Sequence, residues 1–154
     1  MTNPRWLDER EQRAWRAFVT ASRLLLDALD RDLQRDAGMP HTYYEILVRL
    51  SEAPDHRLRM SELADATLAS RSRLSHAAAR LEEAGWLRRV ECPTDKRGHY
   101  AVLTDAGRRV LTAAAPGHVE AVRRHMLDAL TPEQVDQLAG IGEAVVANLS
   151  QPGS

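Results

Sequence analysis

Residues Met60 to Thr104 read MSELADATLASRSRLSHAAARLEEAGWLRRVECPTDKRGHYAVLT. The first part carries two helical patterns joined by a tight connection. Ser61 to Thr67 is the first, with Leu63 and Ala64 as its apolar side. The second starts at Ser70, whose hydroxyl suits an N-cap because it can accept from an orphan backbone N–H. It continues to about Ala84 and stops at Gly85, a residue that tolerates the left-handed conformation found at helix ends. On a helical wheel Leu74, Ala78 and Leu81 share one side, with Ala77 beside them. The opposite side collects Ser72, His76 and Ala79, flanked by Arg73, Ser75 and Arg80. Such a face is short, polar and basic, with a small residue in its middle. It suits a DNA major groove, where Ser, His and Arg reach base edges or phosphates. The plain alternative is a solvated helix face, which is the norm for surface helices.

The next residues separate the two. Trp86 to Glu91 (WLRRVE) and His99 to Leu103 (HYAVL) read as strands, and Cys92 to Gly98 reads as the turn between them. That makes a β-hairpin with a loop longer than the two-residue type. Asp95, Lys96 and Arg97 lie at its tip. A helix-turn-helix followed at once by a basic-tipped hairpin is a winged helix, and its wing can place an Arg in an adjacent minor groove.

In these residues the chain resembles the MarR family of bacterial transcriptional regulators. The resemblance rests on Ser61-Glu62-Leu63-Ala64, on the run from Ser70 through Glu82, and on Gly85-Trp86-Leu87. It also rests on Asp95-Lys96-Arg97 leading into Leu103-Thr104-Asp105-Ala106-Gly107. The Asp-x-Arg wing followed by Leu-Thr-x-x-Gly is its most specific part, and the match extends from about Leu7 to Leu149. It implies a mainly α fold: a winged helix-turn-helix domain with a small β-hairpin wing, flanked by long N- and C-terminal dimerisation helices. The whole chain, 1–154, is expected to be one domain. Its dimerisation helices fall at 7–36 and 105–149, and its DNA-binding core at 40–104.

Composition agrees with one globular domain. Of 154 residues, 44% are hydrophobic and 28% charged, and no apolar run approaches the roughly 20 residues needed to span a bilayer. The polar start MTNPRWLDERE lacks a signal-peptide stretch, and a single Cys fits a reducing compartment, so a cytoplasmic location is expected. A net charge of −1 argues against a general polyanion binder. DNA binding must come from local clustering, and Arg71, Arg73, Arg80, Arg88, Arg89, Lys96 and Arg97 do cluster in one segment.

Around this core the chain is helical. Leu7 to Asp36 reads as a long helix capped by Asp8, with Trp15, Phe18, Val19, Ser22, Leu25, Leu26, Leu29 and Leu33 at three- and four-residue steps. A helix so long is hard to cover within one small domain, which points to a partner chain. Pro40 opens a second helix, with Tyr44, Leu47, Val48 and Leu50 inward, and Pro54 stops it. The family usually has Ser or Thr where this chain has Pro40. Leu58-Arg59-Met60 reads as a short extended piece pairing with the wing. Thr104 caps a helix to about Leu130, and Ala114-Ala115-Pro116-Gly117 predicts a kink or short break in it. Thr131-Pro132-Glu133 starts a last helix with Leu138, Ile141, Val145 and Leu149 as its stripe.

Other chemistry finds less support. No nucleophile elbow, P-loop, dinucleotide motif or HExxH is present, so no enzyme activity and no cofactor are expected. Cys92 lacks a second Cys, and the family's peroxide sensors carry theirs near the N-terminus. The six His residues show no tight metal-ligand spacing, although His118 and His125 could share a helix face. In MarR-family proteins small aromatic acids bind where the first two helices meet the wing-bearing domain. The positions that resemble that site are Trp15, Phe18, Ser22, His41, Tyr43, Tyr44 and Leu47, and aromatic walls with a few polar tips suit a small aromatic effector. The alternative is that these aromatics are core.

The reading is a sequence-specific DNA-binding regulator, a repressor, acting as a homodimer on a pseudo-palindromic operator in double-stranded DNA. Ser70, Arg71, Ser72, Arg73, Ser75, His76 and Arg80 on the helix, and Asp95, Lys96 and Arg97 on the wing, form its expected DNA surface. Alternatives are a winged-helix protein-interaction module without DNA binding, or a metal- or redox-responsive regulator.

Overall fold

Six helices and three short strands follow one another in the order α1 (Glu9–Ala37), α2 (His41–Glu52), β1 (Arg57–Arg59), α3 (Met60–Thr67), α4 (Arg71–Glu83), β2 (Leu87–Cys92), β3 (Asp95–Leu103), α5 (Asp105–His125) and α6 (Pro132–Leu149). The structure, a computed structural model, describes residues 3–67 and 69–151, the side chain of Lys96 excepted. Among the described residues no helix is long and apolar enough to cross a membrane.

Each helix starts where its capping chemistry allows. Asp8 and Glu11 form a reciprocal capping box on α1, and Thr131 and Gln134 do the same on α6. Pro40 has no side-chain acceptor to offer α2. The His41 N–H donates instead to Asp30 Oδ1 of α1 at 2.8 Å, so the missing cap is supplied from the neighbouring helix and ties α1 to α2.

The core lies between α2, α3, α4 and the sheet. Ile46, Leu47 and Leu50 of α2, Leu63 of α3, and Leu74 and Leu81 of α4 are fully buried with Met39 and Leu87. Burying side chains of this size stabilises a fold by about 1.5–3 kcal/mol each. The three strands form an antiparallel sheet in the order β1-β3-β2. Arg57, Leu58 and Arg59 pair with Val102, Ala101 and Tyr100, as expected of the extended piece before α3, except that Met60 already belongs to the helix.

Two local expectations are corrected. The wing strands reach further than the residue types suggest, to Cys92 and from Asp95, leaving Pro93 and Thr94 as the tip. The length lies in a bulge: Glu91 pairs with His99 and Cys92 with Asp95, so Lys96, Arg97 and Gly98 are extra residues on β3. Trp86 falls just before β2 rather than within it. In α5 no break occurs at Ala114–Gly117; the helix runs unbroken through Pro116 to His125. Pro116 removes one backbone donor, and the acceptor it frees belongs to exposed Thr112, where water can replace the bond. On the other side Ala114 and Ala121 are buried against the rest of the fold. A short 3-10 turn, Leu127–Ala129, separates α5 from α6.

The joint between wing and α5 is close-packed. Gly85 ends α4 with φ +77°, a conformation glycine adopts without a Cβ penalty. Its carbonyl accepts from Thr104 Oγ1 at 2.6 Å, and the same hydroxyl accepts from Gly107 N–H at 3.0 Å. Thr104 N–H donates to the Trp86 carbonyl at 3.2 Å. A Cβ on Gly107 would overlap that carbonyl oxygen and come within 2.9 Å of Leu103 Cδ1.

A second tie joins α5 to α1. Asp32, on α1, accepts from Arg124 at 2.8 Å and His125 Nε2 at 2.7 Å, and pairs with Arg35 at 2.9 Å. The hydrogen bond from His125, aided by the charges of Arg35 and Arg124, holds the Asp32 carboxyl below its ordinary value of 3.8 against the opposing effect of burial.

Both ties can be tested by substitution. Gly107→Ala should cost about 1–3 kcal/mol, the usual range for overpacking, read as a lower Tm; melting at the wild-type temperature would mean that the close approach is not needed. The depressed Asp32 value makes its contribution present above the unfolded-state value and lost as pH falls through the folded-state one. Asp32→Asn should therefore lower Tm at neutral pH and narrow the gap to wild type below about pH 4. A gap that is constant with pH would exclude the charge as its cause.

Candidate nucleic-acid interface

Helix α4 is divided as its sequence demands. Leu74, Ala77, Ala78 and Leu81 are buried, while Arg71, Ser72, Arg73, Ser75, His76 and Arg80 are exposed and Ala79 is half-buried. Ser70 caps the helix, its Oγ accepting from Arg73 N–H at 3.2 Å. That hydroxyl is committed to the fold. The rest of the face offers hydroxyl, imidazole and guanidinium donors on one rigid rod.

Asp95 and Arg97 are exposed on the wing; the Lys96 side chain lies outside what the structure describes. Asp95 Oδ1 accepts from the Arg97 backbone N–H at 3.0 Å. The carboxylate therefore shapes the bulge through the main chain, and the Arg97 guanidinium is left to project.

The basic cluster of the sequence is sorted by carboxylates. Arg89, on β2, is claimed by Glu82 of α4: its N–H donates to Oε2 at 2.9 Å, and its Nε and Nη2 donate to Oε1 at 3.3 and 3.1 Å. Those hydrogen bonds hold the Glu82 carboxyl below the usual carboxylate range and lock the end of α4 to the wing. Arg80 lies 3.4 Å from Glu83 in a pair exposed on both sides, worth little against water. Among the described residues Arg71, Arg73 and Arg97 have no carboxylate within ion-pair distance.

Between α4 and the wing lies an open concavity of about 760 Å³. Ser61, Arg71, Ser75 and Arg97 line it, together with Arg59, Glu82, Arg89 and His99. Ser61 and the last four lie outside the site residues expected from the sequence. Arg59 and His99 belong to strands whose register alone brings them beside α4, and the Glu82–Arg89 contact joins residues on different elements.

The residues expected to form an effector pocket are dispersed. Trp15 and Phe18 are 60% and 51% exposed on the first half of α1. Ser22, His41 and Tyr43 are half-buried, and Tyr44 and Leu47 belong to the core. A cavity of about 220 Å³ lies instead between the second half of α1 and α5, walled by Leu29, Leu33, Val110, Ala113, Ala114 and Ala121, with Asp32, Asp36 and His118 at its polar edge. His118 links the two regions, its ring 4.3 Å from that of Tyr44 and 5.7 Å from that of His41. Burial, then the charge His41 can carry, lowers the His118 pKa and favours the neutral ring, and its Nδ1 is buried without a partner among the described residues.

Cys92 is buried at the end of β2, beside the turn of the wing. Its Sγ lies 3.3 Å from Thr94 Oγ1, and this hydrogen bond is the largest of the effects that bring the thiol down to about 7.

A three-stranded wing packed on a helix-turn-helix defines the winged helix-turn-helix class. A family model described as MarR family matches residues 37–98. The chain is 56% identical to Sco3205, a MarR family transcriptional regulator from Streptomyces coelicolor solved in complex with DNA, with a TM-score of 0.91 over 98% of this chain and 96% of that one. It is 44% identical to AbsC, another MarR family regulator from the same organism, with a TM-score of 0.89 over 97% of this chain and 100% of that one. Against the transcriptional repressor MprA of Escherichia coli K12 it is 29% identical over 114 residues, covering 74% of this chain and 64% of the repressor, so it spans a little under two thirds of that protein. The chain belongs to the MarR family of transcriptional regulators.

Proposed function

We propose that this regulator binds double-stranded DNA sequence-specifically as a homodimer, acts as a repressor by occupying its operator, and is released by a small aromatic effector. The carrying observation is the pairing of the polar, uncompensated face of α4 with the projecting Arg97 across an open concavity. A helix read at base edges and a wing inserted beside it need that arrangement. The DNA-bound state of Sco3205, over half identical, supports the same use here.

Three observations support the dimer. Trp15, Phe18, Leu24 and Leu26 are exposed on α1. Ile141, Val145, Val146 and Leu149 are exposed on α6, which buries none of its residues. An apolar surface of this extent on a monomer marks an interaction site. Residues 7–36 and 105–149 thus serve as dimerisation helices, and 40–104 as the DNA-binding core of a single domain. Two-fold symmetry then requires a pseudo-palindrome with half-sites about one helical turn apart.

On that operator Ser72, Arg73, Ser75, His76 and Arg80 face the major groove, with Ser70 and Arg71 at its edge. Arg97, with Lys96 beside it in the chain, reaches the flanking minor groove, and Asp95 holds the bulge that presents it. Light scattering should report a dimer at micromolar concentration. Arg73→Ala or His76→Ala should lose about 1–3 kcal/mol at particular base pairs. Arg97→Ala should weaken binding to many sequences alike and reduce the salt slope by about 0.9 for each phosphate that is no longer neutralised. A monomer, or a protein whose duplex binding shows neither salt nor sequence dependence, would defeat the reading.

The effector is proposed to enter the 220 Å³ cavity between α1 and α5. Its apolar walls suit a ring, and neutral His118 with an unpaired Nδ1 suits one polar substituent. Trp15 and Phe18 then belong to the dimer contact, while His41 and Tyr44 support the site from behind His118. A panel of aromatic carboxylates and phenols should contain compounds that weaken DNA binding, and Ala113→Leu, which puts bulk into the cavity, should abolish the response. If no compound weakens binding, or if the Leu variant still responds, this placement is wrong.

A further inference from the structure

A helix in a major groove and a wing in the neighbouring minor groove straddle one sugar–phosphate strand, because that strand is the wall between the two grooves. If α4 and the wing engage DNA as proposed above, the 760 Å³ concavity between them is where the strand must lie. Its charge has been prepared for that. Two carboxylates line it: Glu82 is paired with Arg89, while Asp95 accepts from the Arg97 backbone N–H and keeps its charge, which three arginines outweigh. Arg71, on the α4 side, and Arg97, on the wing side, keep their guanidinium groups free of ion pairs among the described residues, and so does Arg59.

Arg59 also lines the concavity. It is the last residue of β1, opposite Tyr100 of β3 in the sheet register. Its backbone N–H donates to Glu62 Oε2 at 2.9 Å, so the nearest acid serves the main chain. Its guanidinium carbon lies 5.7 Å from the centroid of the Tyr100 ring, and that of Arg57 lies 4.9 Å from the same ring. A guanidinium held against an aromatic face keeps its charge and its donors while losing part of its rotamer freedom before any ligand arrives. That lowers the ordering cost of a later contact.

We propose that the concavity between α4 and the wing seats the DNA backbone strand that separates the two grooves, and that Arg59, braced on Tyr100, is a phosphate contact at its floor. This rests on the DNA-binding reading and adds to it a residue outside both the recognition helix and the bulge of the wing. The phosphate is held from three elements at once: Arg59 from β1, Arg71 from α4 and Arg97 from the wing. Such a contact carries no base information. It fixes the register of α4 on the duplex.

The test uses the full-length protein and two probes: a random-sequence duplex several helical turns long, and a duplex selected from a random pool by the wild-type protein. Arg59→Gln should weaken binding to both alike and lower the salt slope by about 0.9 per arm of the dimer. Arg59→Lys, which keeps the charge, should restore the slope. Tyr100→Leu should give an intermediate loss. As a second measurement, methylphosphonates replace the phosphates of the selected duplex one at a time. One position in each half-site should weaken the wild-type protein and leave Arg59→Gln unaffected. Wild-type affinity and slope in Arg59→Gln would overturn the proposal, as would a loss of affinity with an unchanged slope, which would make Arg59 a structural residue. The absence of any methylphosphonate position that couples to Arg59 would overturn it too, and an unchanged Tyr100→Leu would remove the brace. A wild-type protein that binds neither duplex would overturn the DNA reading itself along with this one.

Discussion

The fold depends on the joint at Thr104. One hydroxyl donates to the Gly85 carbonyl and accepts from the Gly107 N–H, while the Thr104 N–H bonds the Trp86 carbonyl. Four elements end or begin there: α4, β2, β3 and α5. Gly107 lies so close to the Trp86 carbonyl that no side chain fits. Helix α4 therefore cannot tilt against α5 without breaking hydrogen bonds or opening a packed contact. Helix α5 is in turn held to α1 by Asp32 with Arg124 and His125. On the proposed function this chain of contacts gives an effector between α1 and α5 a rigid path to α4. A ligand shifts such an equilibrium only as far as it prefers one packing over the other.

Electrostatics is decided by pairing rather than by total charge. A net charge of −1 gives no hint of a polyanion partner, and the local cluster overstates the cations available to one. Glu82 takes Arg89 through three hydrogen bonds, two of them from its guanidinium. Both guanidinium bonds end on Oε1 while the backbone N–H takes Oε2, so each oxygen of Glu82 is used by Arg89. Arg80 and Glu83 are held more loosely, both more than half exposed, and a phosphate can compete for that arginine at little cost. Asp95 keeps its charge beside the concavity; its Oδ1 accepts from the Arg97 N–H and so fixes the main chain of the bulge rather than pairing with a cation.

The outer helices show the other side of the balance. Helix α6 is well capped at its start, yet capping contributes only about 1 kcal/mol and α6 buries none of its residues. Most helix stability in proteins comes from packing of the apolar face. On the proposed function a second copy that covers α6 and the first half of α1 would supply that packing, and folding of these segments would then be linked to association.

The residues by themselves determined a good deal. The wheel of α4, the Ser70 cap, the Gly85 stop and the two strand-like runs around the turn from Cys92 to Gly98 are local patterns, and they suffice for a winged helix. The Thr104–Gly107 motif is legible as a family sign, but its physical cause is not, because Trp86 meets Gly107 only once β2 and β3 have paired. The missing donor of Pro116 predicts a break. Pro116 is carried inside α5 because the freed acceptor faces water while Ala114 and Ala121 are packed on the other side. The uncapped start at Pro40 is served by Asp30 from another helix. Which arginines are free, where the cavity lies and why Arg59 lines the same concavity as Arg97 were decided by tertiary structure alone. Each depends on contacts between residues distant in the chain, such as Arg59 opposite Tyr100 and Asp32 with Arg124, and no local periodicity encodes those pairings.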